Sequence, residues 1–218
     1  MDSISLASNS AGVQPVKFKD NMRLFATPNS PFSRMARIAI HELGLSDQVD
    51  IQFVTVRDSK SELLNYGPLG KVPALQIGDD LFSDTSIIIK MLESASDSCR
   101  LTAENEDPKA IAFEGFCIGF LESIAVWIRE ARRKPELISE ELLKVEKERA
   151  LRCVDYISQN ISYLRSSLSL SAIAVACALD LANRRLGFYE YEKHGYLNEW
   201  LQKVIKRKSF LITEPQPI

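Results

Sequence analysis

Apolar positions along this chain follow two periods in turn. Up to about residue 94 the apolar runs are short: Met22–Ala26 and Ala74–Ile77 are strand-length, and residues 49–56 alternate with β-branched content. Between the first and the second of these in chain order, residues 35–43 repeat at helical spacing, so a βαβ unit with parallel strands is predicted. Residues 61–64 can form a short helix before Gly67-Pro68-Leu69-Gly70 breaks it, and Gly78-Asp79-Asp80 joins Ala74–Ile77 to a strand at 81–83. A helix from Asp84 to about Glu93 completes the order β-α-β-α-β-β-α.

Beyond residue 107 the period is helical throughout. Phe113, Phe116, Cys117, Phe120, Ile124 and Trp127 form a stripe within 109–134, which Pro135 ends. Ser139 starts a helix in which Ala150, Val154, Ile157, Ile161, Leu164 and Leu168 recur every three or four residues, predicting continuity to 168. Residues 173–182 are apolar nearly all round, as in a helix buried among others, and a last helix is predicted at 196–206. The expected organisation is a flexible tail at 1–21, an α/β domain at 22–94, a polar linker at 95–107 and an all-helical domain at 108–218.

Charge narrows the partners. Lys+Arg of 27 against Asp+Glu of 29 leave a net charge of −2 across 218 residues, which recommends neither nucleic acid nor an anionic membrane. The four cysteines, Cys99, Cys117, Cys153 and Cys177, are far apart and no CxxC or Cys/His cluster occurs, so free thiols in a reducing compartment are expected and no metal site. No apolar stretch reads as long enough to span a bilayer, and the start lacks the basic-then-apolar order of a secretory signal. A cytoplasmic location is expected.

The candidate chemistry begins at Ser30-Pro31-Phe32-Ser33-Arg34. Ser30 suits a helix N-cap, Pro31 the first helical position, and Gly44 the closing residue. Partial positive charge at a helix N-terminus favours an anion beside Ser30; the alternative is a purely structural cap.

This domain order, with Ser30-Pro31-Phe32 opening the first helix, resembles the cytosolic glutathione transferase family, whose N-terminal domain is thioredoxin-like. Pro68-Leu69-Gly70-Lys71-Val72-Pro73-Ala74-Leu75 is similar to the family's segment before the third strand, in which the proline after Val is cis. Asp84-Thr85 resembles the acidic-then-hydroxyl pair that holds the γ-glutamyl end of glutathione. Leu168-Ser169-Leu170 with Ala176-Cys177-Ala178-Leu179 resembles the family's buried helix. The resemblance implies glutathione as cosubstrate, with Val72 pairing to its backbone, Asp84 and Thr85 recognising its amino-acid end and Lys71 facing a carboxylate. It implies Ser30 as the group that activates the glutathione thiol, a small hydrophobic electrophile as second substrate, and a homodimer; a solvated surface lysine at 71 and a plain helix cap at Asp84 are the alternatives. Phe32, Phe116, Phe120 and Trp127 are the candidate pocket residues, with packing in the core as the alternative for the last three.

Departures from the family pattern shape the expectation. Serines occupy both places where thioredoxin-like proteins carry Cys-Pro-x-Cys, which removes disulfide exchange and points to the serine-type transferases. Ala26-Thr27 stand where many relatives have Tyr and Ser, leaving Ser30 as the activating hydroxyl. Ala172 replaces the acidic half of a capping box begun by Ser169. Arg129, Arg132, Arg133 and Lys134 match no family motif and read as a solvated helix end. Two further readings stay open: isomerisation or reductive chemistry with the same thiolate, and a transferase-like module that serves in interaction or regulation.

Overall fold

The computed structural model describes residues 21–103, 107–165 and 167–217. The tail expected at 1–21 lies outside them except for Asn21, as does the 104–106 part of the expected linker. Four strands, β1 (Met22–Ala26), β2 (Val49–Phe53), β3 (Ala74–Ile77) and β4 (Asp80–Ser83), form one sheet in the order β2-β1-β3-β4. β1 runs parallel to β2, with Ala26 opposite Phe53, and antiparallel to β3, with Phe25 opposite Ala74; Ala74 in turn faces Ser83. Ala26, Phe53, Ala74 and Ser83 therefore share one end of the sheet.

Alternation along β1 decides what covers each face. Met22, Leu24 and Ala26 join the main core, whereas Phe25 points the other way, into a small cluster with Val54, Leu63 and Ala74. Helices α1 (Pro31–Glu42) and α2 (Thr85–Ser94) contribute Met35, Ala36, Ile38, Ile88 and Leu92 to the main core. Gly44, at φ +70°, closes α1 in the left-handed conformation that glycine adopts without strain. The strand expected at 49–56 stops at Phe53, and the helix expected at 61–64 is a 3₁₀ turn at Glu62–Asn65.

The second domain comprises α3 (Pro108–Ala131), α4 (Glu140–Gln159), α5 (Ser162–Arg165), α6 (Leu170–Leu186), α7 (Gly195–Val204) and α8 (Lys208–Ile212). Every residue of α6 from Leu170 to Ala182 is buried, as its all-round apolar pattern predicts. Ser169 accepts the Ala172 N–H at 3.2 Å, so the half of the capping box that the sequence retains does form. The single helix expected from 139 to 168 is instead broken after Gln159, where Asn160 donates to the Tyr156 carbonyl at 2.9 Å. Apolar spacing continues through that break, because Ile161 and Leu164 pack on the same core from α5 and its approach. α8 is five residues long, too short for a period to reveal.

One expectation is corrected by α3. It is long and apolar enough, by length and composition alone, to cross a membrane. Phe113, Cys117, Phe120, Leu121, Ile124 and Trp127 are all buried along it, so its apolar stripe is a core stripe.

Polar contacts pin α1 to the helical domain. Arg34, buried, pairs with Asp180 on α6 and donates to the Phe210 carbonyl at 3.3 Å. At the other end of α1, Glu42 accepts from Arg207 at 2.6 Å and from the Ser209 hydroxyl at 2.5 Å. Burial pushes the Glu42 carboxyl up, but the hydrogen bonds from Arg207 and Ser209 and the Arg207 charge outweigh it and hold the group below its ordinary value. A depressed carboxyl contributes stability above its unfolded-state pKa and loses it as pH falls through the lower folded value. Acid unfolding followed by circular dichroism should show Glu42→Gln less stable than wild type at neutral pH, with the gap closing below about pH 4.

Candidate functional site

Three separate segments converge on the sheet end defined by Ala26, Ala74 and Ser83, and each carries a group singled out in the sequence. After β1 the chain turns through Thr27 to Ser30, the N-cap of α1, whose Oγ accepts the Ser33 N–H at 3.2 Å. A hydroxyl that accepts this way still has its proton to donate. Ser30 is half-buried, whereas Ser33 is fully buried, with its Oγ accepting the Thr27 N–H at 3.4 Å. The second serine thus braces the turn, while the first caps the helix and keeps partial access to solvent.

Just before β3, the Val72-Pro73 peptide is cis, with Val72 half-buried and Lys71 exposed. After β4, Asp84 caps α2, its Oδ1 accepting the Ser86 N–H at 2.9 Å and the Ile87 N–H at 3.4 Å. Among the described residues nothing hydrogen-bonds its second oxygen. Asp84 holds φ +75°, ψ 129°, a conformation costing on the order of 1–3 kcal/mol outside glycine and concentrated at functional sites. Thr85, 7% exposed, is the first residue of α2, where backbone N–H groups lack intrahelical acceptors. An acid, a hydroxyl and a helix N-terminus therefore stand together and can receive an ammonium and a carboxylate at once.

Both histidines stand elsewhere. His41 is eleven residues along α1 from Ser30, about 16 Å at helical rise, with Nδ1 2.7 Å from the Ser46 hydroxyl. His194 pairs with Asp155 at 3.1 Å on the helical domain. The thiols are similarly remote from the site or inert. Burial pushes the Cys177 thiol up to about 12 and the Cys117 thiol higher still, and exposed Cys99 lies beside the Glu42 carbonyl at the far end of α1.

The structure does not bring the four aromatic candidates to one surface. Phe32 is half-buried on α1 against the main core. Phe116 is half-buried and meets Tyr156 edge-on at 4.7 Å. Phe120 is 1% exposed and belongs to the core, since a pocket stripe and a core stripe share one helical spacing. Trp127 is also buried, with its ring edge-on to Phe188 at 5.6 Å, where the last turns of α3 and α6 meet.

Several features escaped the sequence. The Arg34–Asp180 pair spans 146 positions, and no local pattern announces it. A surface pocket of about 370 Å³, lined by Leu63, Tyr66, Leu69, Lys71, Ala74 and Ser83, opens on the Phe25 face at the same end of the sheet, with Ser30 outside its lining. A second, of about 430 Å³, lies among Leu164, Leu168, Trp200, Lys203 and Arg207 in the helical domain.

Comparison with known proteins bears on the fold. The sequence profile of the glutathione S-transferase N-terminal domain matches residues 24–100. Comparison with curated proteins finds no match. Among solved structures, a glutathione transferase family member from Pseudomonas fluorescens Pf-5 with bound glutathione is 26% identical, at a TM-score of 0.82, over 90% of this chain and 100% of that one. A second structure of that kind from the same strain, with bound S-(propanoic acid)-glutathione, is 25% identical at a TM-score of 0.80, over 90% of this chain and 100% of the other. A glutathione S-transferase from Methylobacillus flagellatus with glutathione bound, at 22% identity and a TM-score of 0.79 over 89% and 100% of the two chains, shares the fold. Residues 24–100 therefore form a glutathione S-transferase N-terminal domain, and the chain as a whole has the glutathione transferase fold.

Proposed function

We propose that this protein is a serine-type glutathione transferase: it binds glutathione at the Ala26–Ala74–Ser83 end of the sheet and activates its thiol for attack on a small electrophile. The observation that carries the reading is the convergence there of Ser30, Val72-Pro73 and Asp84-Thr85 from three segments. Thr85 and the α2 N-terminus receive the γ-glutamyl carboxylate, the open oxygen of Asp84 the ammonium, Val72 the peptide edge and Lys71 the far carboxylate. Ser30 donates to the sulfur. A free thiol titrates near 8.5, and lowering that by roughly two units needs about 2.7 kcal/mol of preference for the thiolate. One hydrogen bond to a charged acceptor contributes about 1.5–3 kcal/mol and a helix N-terminus about 0.3–2 kcal/mol, which together suffice. In the transfer a C–S bond forms, the leaving group departs with its electron pair, and the thiol proton goes to solvent.

Asp84 separates recognition from capping. Asp84→Asn keeps an acceptor for the Ser86 N–H but loses the charge, so glutathione binding by calorimetry should weaken about tenfold or more while thermal stability holds. Unchanged affinity in both Asp84→Asn and Asp84→Ala would reduce Asp84 to a helix cap. Tyr66 and Leu69, 39% and 60% exposed beside the 370 Å³ pocket, support a protein contact on that face, which we assign to a homodimer. Four unpaired thiols suit a cytoplasmic protein. The same apolar face also favours a second reading, an interaction module that keeps the fold; absent glutathione binding would favour it.

A further inference from the structure

The basic residues that close α3 gain a setting from the fold. The start of α3 and the start of α6 lie at one end of the molecule: Glu114 accepts the Ala103 N–H at 2.8 Å, and Leu101 accepts the Leu170 N–H at 2.6 Å. The end of α1 is there too, since the Leu43 carbonyl accepts the Ser96 hydroxyl at 2.7 Å, a few residues before Leu101. α1 thus runs antiparallel to α3 and α6. From the Arg34–Asp180 contact, one turn back along α1 reaches Ser30 and one turn onward along α6 reaches Arg184, each about 6 Å in the same direction. The closing turns of α3 and α6, joined by Trp127 and Phe188, therefore stand at the Ser30 end.

Six cations occupy those turns: Arg129, Arg132, Arg133 and Lys134 from α3 and its exit, Arg184 and Arg185 from α6. Several are engaged. Arg184 pairs with Asp180 at 2.9 Å and Glu214 at 2.6 Å, Arg133 with Glu130 at 3.3 Å, and Arg129 donates to the Ala125 carbonyl at 3.1 Å. Arg132 and half-buried Arg185 have no anionic partner among the described residues. Their helix ends are close: the Trp127 and Phe188 rings meet at 5.6 Å, with Arg132 five residues after the one and Arg185 three before the other, and burial, then the charges of Arg132 and Arg184, hold the Arg185 guanidinium below its ordinary pKa. Two like charges left uncompensated, one of them half-buried, are relieved by an anion between them, and guanidinium groups take carboxylates in bidentate geometry.

We propose that Arg132 and Arg185 form a carboxylate-binding rim beside the thiol site, so that the electrophile this protein accepts carries an anionic group. The inference rests on the glutathione reading above and adds a substrate class to it. Calorimetry with S-(4-carboxybenzyl)glutathione and its neutral S-(4-carbamoylbenzyl) counterpart tests it without requiring turnover, with glutathione itself as control. Wild type should bind the carboxylate conjugate about tenfold more tightly than the carboxamide. Arg132→Gln with Arg185→Gln should bring the two within about twofold and leave glutathione affinity unchanged. Equal binding of both conjugates by wild type, with glutathione still bound, overturns the rim alone, as does a preference that survives the double substitution. Failure to bind glutathione overturns the underlying reading and the rim with it.

Discussion

Replacing Ser30 by alanine should lower turnover with glutathione at least about tenfold, a barrier change of about 1.4 kcal/mol. The substitution removes two things at once. As N-cap of α1, Ser30 accepts the Ser33 N–H, and losing such a cap costs about 1 kcal/mol, or roughly 2–4 °C in Tm for a chain of this size. In its proposed role as donor to a thiolate it would contribute about 1.5–3 kcal/mol to the charged form. Ser30→Gly separates the two, because glycine is nearly as good a cap but has no hydroxyl. Steady-state kinetics with an electrophilic substrate should find both variants slow, while thermal unfolding finds Ser30→Gly close to wild type. Full activity in both would remove Ser30 from the mechanism.

Asp180→Ala should destabilise the protein by about 3–5 kcal/mol, the largest single-site stability effect expected here, and Arg34→Ala by less, because Asp180 keeps Arg184. Both side chains are nearly inaccessible; removing Asp180 leaves Arg34 charged and buried, whereas removing Arg34 leaves Asp180 with Arg184 at 2.9 Å as its remaining partner. With Asp180 gone, Arg34 keeps the Phe210 carbonyl, but its Nε is already buried without a partner. Arg34→Met with Asp180→Leu replaces the pair with apolar groups of similar size and should recover most of the loss. Urea denaturation of the two single variants and the double variant reads this directly. A cost below about 1 kcal/mol in both single variants would show that the interdomain contact relies on apolar packing instead.

The residues differ in how plainly the sequence announces them. β1, β3, the Ser30 cap and the α2 start were legible because each depends on near neighbours: strand-length apolar runs, Ser-Pro before a helical period, Asp at a cap. Register then assembled the site, since Ala74 pairs with Phe25 and Ser83 with Ala74, and residues 30, 72 and 84 need no long-range contact of their own to meet. Phe120 misled because burial and pocket lining use the same spacing, and only packing distinguishes them. Asn160 broke a helix that apolar positions continued, because periodicity reports the face and not the backbone hydrogen bonds. The basic end of α3 is a solvated terminus as expected, with Arg129, Arg132, Arg133 and Lys134 all exposed, but its approach to the end of α6, through the Trp127–Phe188 contact, could not be read from the sequence. Such juxtapositions belong to tertiary structure and have no local trace.

The central claim is that this fold lowers the pKa of a glutathione thiol through Ser30. A pH titration of the thiolate ultraviolet absorbance, with glutathione mixed with excess wild-type protein, tests it most directly. The account predicts a midpoint roughly two units below the free thiol value of about 8.5, returning toward that value in Ser30→Gly. A midpoint unchanged from free glutathione would contradict it.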